Sequence, residues 1–285
     1  MIVKAKHFLV EQNDKVVVWR FYNPPNNIWT SEIHLEFNDI VEDFYKDSEV
    51  RVGVITSAMP DVFILHFDVA KLVEMGCELN ETGSCAELSA VQAQQGVYRC
   101  GPKVVIAAIN ANLSGGGLEL AMACDFRFMA KNALASQSEV NVGILPGSGG
   151  TQRMTRLVGL PKAMELMLTG RQVSADEAER IGLITRAVSP LMLMSEVMNF
   201  AQAMANRPPL AIAYTKQCIY AAMDMPIKEG LEIEGRLFQE LVKSPEAMER
   251  MKAYVSTGQP SPRQYIQMEL EAVHKKWEAC QRDIT

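Results

Sequence analysis

Pro102-Lys103-Val104-Val105-Ile106-Ala107-Ala108-Ile109-Asn110-Ala111-Asn112-Leu113-Ser114-Gly115-Gly116-Gly117-Leu118-Glu119-Leu120 is the stretch on which the fold turns. Lys103–Ile109 has almost no polar alternation, the pattern of a parallel strand covered on both faces. Three glycines follow, then the apolar segment Leu118–Cys124, expected as a short helix with Glu119 in its first turn. Glycine permits positive φ and close approach of a ligand to the backbone. The first N–H groups of a helix have no internal acceptor, and their dipoles point outward. This arrangement can aim an N–H and an acid at one small volume. If the oxygen it meets turns anionic only in the transition state, each donor is worth a few kcal/mol of catalysis. The bland alternative is a tight strand–helix junction in which side chains would clash. The cluster is neither a P-loop nor a dinucleotide fingerprint, lacking the Lys-Ser/Thr ending and the GxGxxG spacing.

Outward from this stretch, strands and helices alternate. Lys15–Tyr22 and Arg51–Thr56 read as strands, Ser31–Lys46 as an amphipathic helix, and Ala86–Tyr98 as another helix. Val62–Asp68 is a short apolar run entering a helix near Val69–Met75, and Gly76–Ser84 reads as a polar, mobile loop. Phe126–Met129 and Ala133–Ser136 are further short strands. The alternation argues for an α/β fold with right-handed crossovers. After about residue 190 the pattern is nearly all helical, with Gln264–Arg282 as a last amphipathic helix beyond the breaker Gly258-Gln259-Pro260-Ser261-Pro262. The expected organisation is an α/β core at 1–190, a helical region at 191–257 and an extension at 258–285.

The 285 residues are 48% hydrophobic, enough for a sizeable core, and carry a formal charge of -6. A weakly acidic surface does not favour nucleic acid or an anionic membrane as the main partner. Six cysteines without a CxxC pair and four histidines without ligand spacing give no metal site and read as reduced thiols. No leader-like apolar run opens the chain and no span of roughly 18 apolar residues occurs, so a cytoplasmic protein is expected.

Two carboxylates stand out. Glu119 has Leu118, Leu120, Ala121, Met122 and Ala123 for neighbours, so it is either buried for use or set at a cleft edge; burial would raise its pKa toward that of a useful acid or base. Glu139, in Ser136-Gln137-Ser138-Glu139-Val140, follows a short apolar stretch and precedes a second glycine-rich run, Gly143–Arg153. That run has no lysine and reads as packing of a strand end against the helix Thr151–Val158. Two carboxylates on separate loops can divide proton transfers if both face one cavity; each alone has the ordinary alternative of a surface charge.

Residues 103–188 resemble the enoyl-CoA hydratase/isomerase (crotonase) superfamily. The resemblance rests on Ile106–Asn110, Leu113–Ala121, Cys124–Arg127, Pro146–Arg153 and Ala178–Ile184, in that order. It implies a spiral of β-β-α turns with a helical C-terminal trimerisation region, assembled as a homotrimer or as a hexamer of paired trimers. It implies an acyl-CoA thioester as substrate, with coenzyme A as part of that substrate and no prosthetic group. It places an oxyanion donor at the N–H of Gly116 and its partner at the N–H of Leu65, with Glu119 and Glu139 as the hydratase acid and base. The reaction so implied is hydration of 2-enoyl-CoA to 3-hydroxyacyl-CoA through a stabilised thioester enolate.

Three departures from the family pattern touch the site. Ile64-Leu65-His66-Phe67 replaces the usual small Ala/Gly-rich segment, and His66 is either packed or available for a hydrogen bond or proton transfer. Ala111–Ser114 replaces the common Gly-x-Ala. Thr257 stands where a lysine meets the CoA phosphates; Tyr254 occupies the nearby aromatic position, with Lys252 or Lys216 as compensating contacts. These departures keep open a double-bond isomerase, a β-diketone or thioester hydrolase, and a non-catalytic partner-binding scaffold.

Overall fold

The structure is a computed structural model that describes residues 3–93 and 101–256. The expected helix Gln264–Arg282, the whole 258–285 extension, Thr257 and the end of the expected helix Ala86–Tyr98 lie outside them. A hairpin of β2 (Phe8–Asn13) and β3 (Val16–Phe21) leads into α1 (Ser31–Lys46). The Thr30 side chain caps α1 by accepting from the Ile33 N–H. Phe37 and Phe44 of α1 pack edge-on against Trp19 of β3. β4 (Val52–Ser57) and β6 (Val104–Ile109) are buried along their whole length, as the unbroken apolar run of β6 predicts. With β1 (Val3–Lys4), β8 (Phe126–Ala130) and β11 (Arg186–Val188) they form a seven-stranded sheet in the order β1-β2-β3-β4-β6-β8-β11. The sheet is parallel from β3 onward.

The chain advances in β-β-α turns. In each, one strand joins the large sheet, a short second strand joins a four-stranded sheet, and a helix follows. The second strands are β5 (Val62–Ile64), β7 (Asn112–Ser114) and β9 (Leu134–Ser136), mutually parallel in the order β5-β7-β9 and closed by antiparallel β10 (Val173–Ser174). The helices after β5 are α2 (Val69–Thr82) and α3 (Ala86–Ala93), and after β7 comes α4 (Gly116–Ala123). After β9 comes a 3₁₀ turn, Glu139–Val142. Because these strands are parallel neighbours, the three strand-to-helix junctions Leu65–Asp68, Gly115–Gly116 and Gln137–Glu139 fall at one edge of the small sheet. Gly117 makes the close packing possible: a Cβ there would lie 2.4 Å from the Ile64 carbonyl oxygen.

Helices α5 (Gly150–Val158), α6 (Leu160–Thr169) and α7 (Ala175–Arg180) follow, then α8 (Leu193–Ala205) and α9 (Pro209–Asp224). α8 lies over β3, β4, β6 and β8, burying Leu193, Val197, Ala201 and Ala205 at four-residue spacing. The sequence change near residue 190 therefore marks the end of the strands and not the end of the first compact unit, which runs to residue 230. The second unit, from Leu231, contains most of α10 (Ile227–Lys243) and all of α11 (Pro245–Ser256). Among the described residues no helix is long and apolar enough to cross a membrane.

The polar stretch expected as a loop after Met75 is helical instead. α2 runs on through Gly76 to Thr82 and ends at Gly83, which has φ 74° and bonds back to Leu79. The strand β7 is three residues long, too short for its sequence to identify it, so its pairing with β5 and β9 defines it.

A buried ion pair fixes α9 to the sheet. Lys216 Nζ donates to Asp125 Oδ2 at 2.8 Å and to the Lys103 carbonyl at 2.8 Å, while Tyr220 donates to Asp125 Oδ1. Removing one partner leaves an uncompensated buried charge, so K216M is expected to lose about 3 kcal/mol of stability, read from urea denaturation. The double variant K216M/D125N is expected to lose less than the sum of the two single variants.

Candidate active site

Glu119 is the most buried acid among the described residues, at 3% exposure. Its Oε1 accepts the Ser148 N–H at 2.8 Å and the Gly150 N–H at 2.7 Å. Gly150 opens α5, so the carboxylate sits at a helix N-terminus. Here the second glycine-rich run does more than pack a strand end: its amides cradle an anion supplied by the protein itself. A Cβ on Gly150 would stand 2.9 Å from that same Oε1 and 2.8 Å from Pro146 Cβ, so the approach requires glycine. Burial nevertheless dominates and pushes the Glu119 carboxyl up to about 7. The Gly150 and Ser148 amides and Arg153 pull the other way, and the Glu139 charge pushes with burial.

Glu139 begins the 3₁₀ turn after β9. Gln137, 1% exposed, donates its Nε2 to Glu139 Oε1 at 2.7 Å. Oε2 is buried and has no hydrogen-bond partner among the described residues. Burial raises this carboxyl above its ordinary value, against its own amide, Gln137 and His66. Glu139 and His66 both border Gly115: a Cβ there would lie 3.0 Å from Glu139 Oε1 and 3.6 Å from His66 Cβ. His66 Nδ1 is 2.7 Å from the Phe67 carbonyl oxygen, which fixes one face of its ring to the backbone. The structure thus brings Glu119, Glu139, Gly116 and His66 near one another.

Leu65 is not. Its N–H donates to the Asn27 carbonyl at 3.2 Å, and Asn27 is itself locked by side-chain bonds to Ser57 Oγ and the Phe63 carbonyl. An N–H spent on the scaffold cannot polarise a ligand, which corrects Leu65 as a donor. The free group is two residues on. Phe67 pairs with Trp29 in a parallel bridge made by the Trp29 N–H to the His66 carbonyl and the Asp68 N–H to the Trp29 carbonyl, both 2.9 Å. In extended chain the amides alternate sides, so the Phe67 N–H points away from Trp29. It points toward Gly116, where a Cβ would come within 3.4 Å of the Phe67 nitrogen. Gly116, the first residue of α4, has an amide that no helical carbonyl can reach.

A cavity of about 30 Å³ lies against these groups, lined among others by Phe67, Gly116, Glu119, Trp29, His34 and Arg153. A larger one, about 430 Å³, lies on the Asp125 side of the fold and touches neither Glu119 nor Glu139. Lys216 borders that larger cavity with its ammonium already held by Asp125, which removes it as a contact for CoA phosphates. Lys252 and Tyr254 are exposed on α11, in the second unit. Among the described residues no group of three His, Cys, Asp or Glu side chains could hold a metal ion. The roles of Phe67, Gln137 and the Ser148 and Gly150 amides are not visible in the sequence, where only the positions of glycine and proline hint at the cradle.

Comparison with known proteins gives the family. The family described as enoyl-CoA hydratase/isomerase matches residues 11–264. The short-chain-enoyl-CoA hydratase of Clostridium acetobutylicum is 32% identical over 254 residues, 89% of this chain and 96% of that protein. The crotonyl-CoA hydratase of Syntrophomonas wolfei is 33% identical, covering 88% and 95%. Among solved structures, the enoyl-CoA hydratase subunit I of Geobacillus kaustophilus superposes with a TM-score of 0.81 at 32% identity, covering 88% of this chain and 95% of that one. An enoyl-CoA hydratase from the same organism reaches 0.84 at 27% identity, covering 90% and 96%. By sequence and by its β-β-α spiral with a helical C-terminal region, this chain is an enzyme of the enoyl-CoA hydratase/isomerase (crotonase) superfamily.

Proposed function

We propose that the enzyme adds water to 2-enoyl-CoA thioesters to give 3-hydroxyacyl-CoA. The observation that carries this reading is the pairing of two carboxylates, the buried Glu119 and the half-buried Glu139, beside the unspent amides of Phe67 and Gly116. The two N–H groups receive the thioester oxygen, on which negative charge grows as the enolate forms. Water gives its oxygen to Cβ and a proton to one carboxylate, while the other carboxylate delivers a proton to Cα. The protons balance, and the pair ends the cycle carrying the one proton it began with. Like charges in a buried site favour that singly protonated state, because ionising the second acid works against the first. The helical C-terminal region would assemble a homotrimer or a hexamer, with Lys252 and Tyr254 as candidate contacts for the CoA moiety.

Loss of enoyl-thioester absorbance with appearance of 3-hydroxyacyl-CoA tests the reaction; Cα proton exchange without net hydration would mark an isomerase instead. E119Q and E139Q are each expected to lower kcat about a thousandfold. Because Glu119 is raised to about 7, the pair loses its last proton through that region, so kcat/KM is expected to fall as pH rises past about 7. A flat profile from pH 6 to 9 would count against the shared proton. Replacing the backbone N–H of residue 67 by an ester oxygen, with the side chain kept, is expected to lower kcat about a hundredfold. The same change at Leu65 is expected to leave kcat unaltered and to cost about 1 kcal/mol of stability.

A further inference from the structure

One wall of the small cavity has chemistry that hydration does not use. His34, on α1, lines it beside Trp29, Leu120 and Ala123 and is 7% exposed. Its Nε2 is buried and has no hydrogen-bond partner among the described residues. Burial alone lowers this imidazole below the ordinary histidine range, with no neighbouring charge opposing it, so the ring is neutral at physiological pH. A neutral imidazole offers one donor and one acceptor. Of its buried α1 neighbours, Ile33 and Phe37 are apolar and Ser31 and Asn38 polar, and none of them donates to or accepts from Nε2. An unpaired buried nitrogen is a standing cost to the fold, and at the wall of a substrate cavity it is relieved by a substrate that brings the missing partner.

We infer that His34 is a specificity-determining residue that hydrogen-bonds a hydroxyl on the acyl portion of the substrate, beyond the reacting carbons. An uncharged group fits because a further carboxylate would add its charge to those of Glu119 and Glu139. This inference rests on the thioester oxygen lying at Phe67 and Gly116.

Binding of saturated thioesters, which cannot be hydrated, separates this inference from the reaction. By calorimetry the wild-type enzyme is expected to hold terminally hydroxylated butyryl-CoA about tenfold more tightly than butyryl-CoA. H34L is expected to lose that preference while binding butyryl-CoA within about twofold of wild type. H34Q, which keeps a donor and an acceptor, is expected to recover part of it. Equal affinity of the wild type for the two ligands, or a preference that survives in H34L, would overturn the role of His34 and leave the hydratase reading intact. Failure of the wild type to bind either thioester would overturn both.

Discussion

The clasp between the Glu119 carboxylate and the amides of Ser148 and Gly150 is the constraint on which the site depends. A carboxylate at 3% exposure is tolerable only with hydrogen-bond donors at close range, and here both come from the N-terminal end of α5. The clasp joins two successive turns of the spiral, since Glu119 sits on α4 and its donors precede and open α5. It also leaves the acid poised: the donors favour the charged form, burial and Glu139 favour the neutral one, and the balance falls at about 7. A proton held near neutrality can be both given and taken.

The spiral does the rest of the positioning. Parallel neighbours β5, β7 and β9 end together, so the segments that leave them begin together. That geometry puts the Phe67 amide, the Gly116 amide and Glu139 at one edge although 72 residues of chain separate the first from the last. Phe67 is selected by direction. Pairing with Trp29 uses the amides and carbonyls on either side of it and turns its own N–H outward, while Leu65 is bound to Asn27. Phe67 stands where the family resemblance expects a small residue; it lines the cavity and keeps its N–H.

Lys216 shows how a cation misleads when read alone. On α9 it looks available for phosphate, yet Asp125, 91 residues away in the chain, lies 2.8 Å from its ammonium. The same buried pair also receives Tyr220, so that patch holds α9 to the sheet and has no charge left for a ligand.

Local pattern determined much of this protein. The unbroken apolar run identifies β6, helical spacing identifies α1, and the glycines ahead of Glu119 mark an amide and an acid at a helix start. Gly116, Glu119 and Glu139 were legible because their chemistry is carried by residue type next to recognisable neighbours. The direction of the Phe67 N–H, the clasp on Glu119, the fate of Lys216 and the unmet nitrogen of His34 were decided only in the folded chain. Each depends on which distant group arrives opposite, and strands as short as β7 are too brief for a sequence period to show and are defined by their partners.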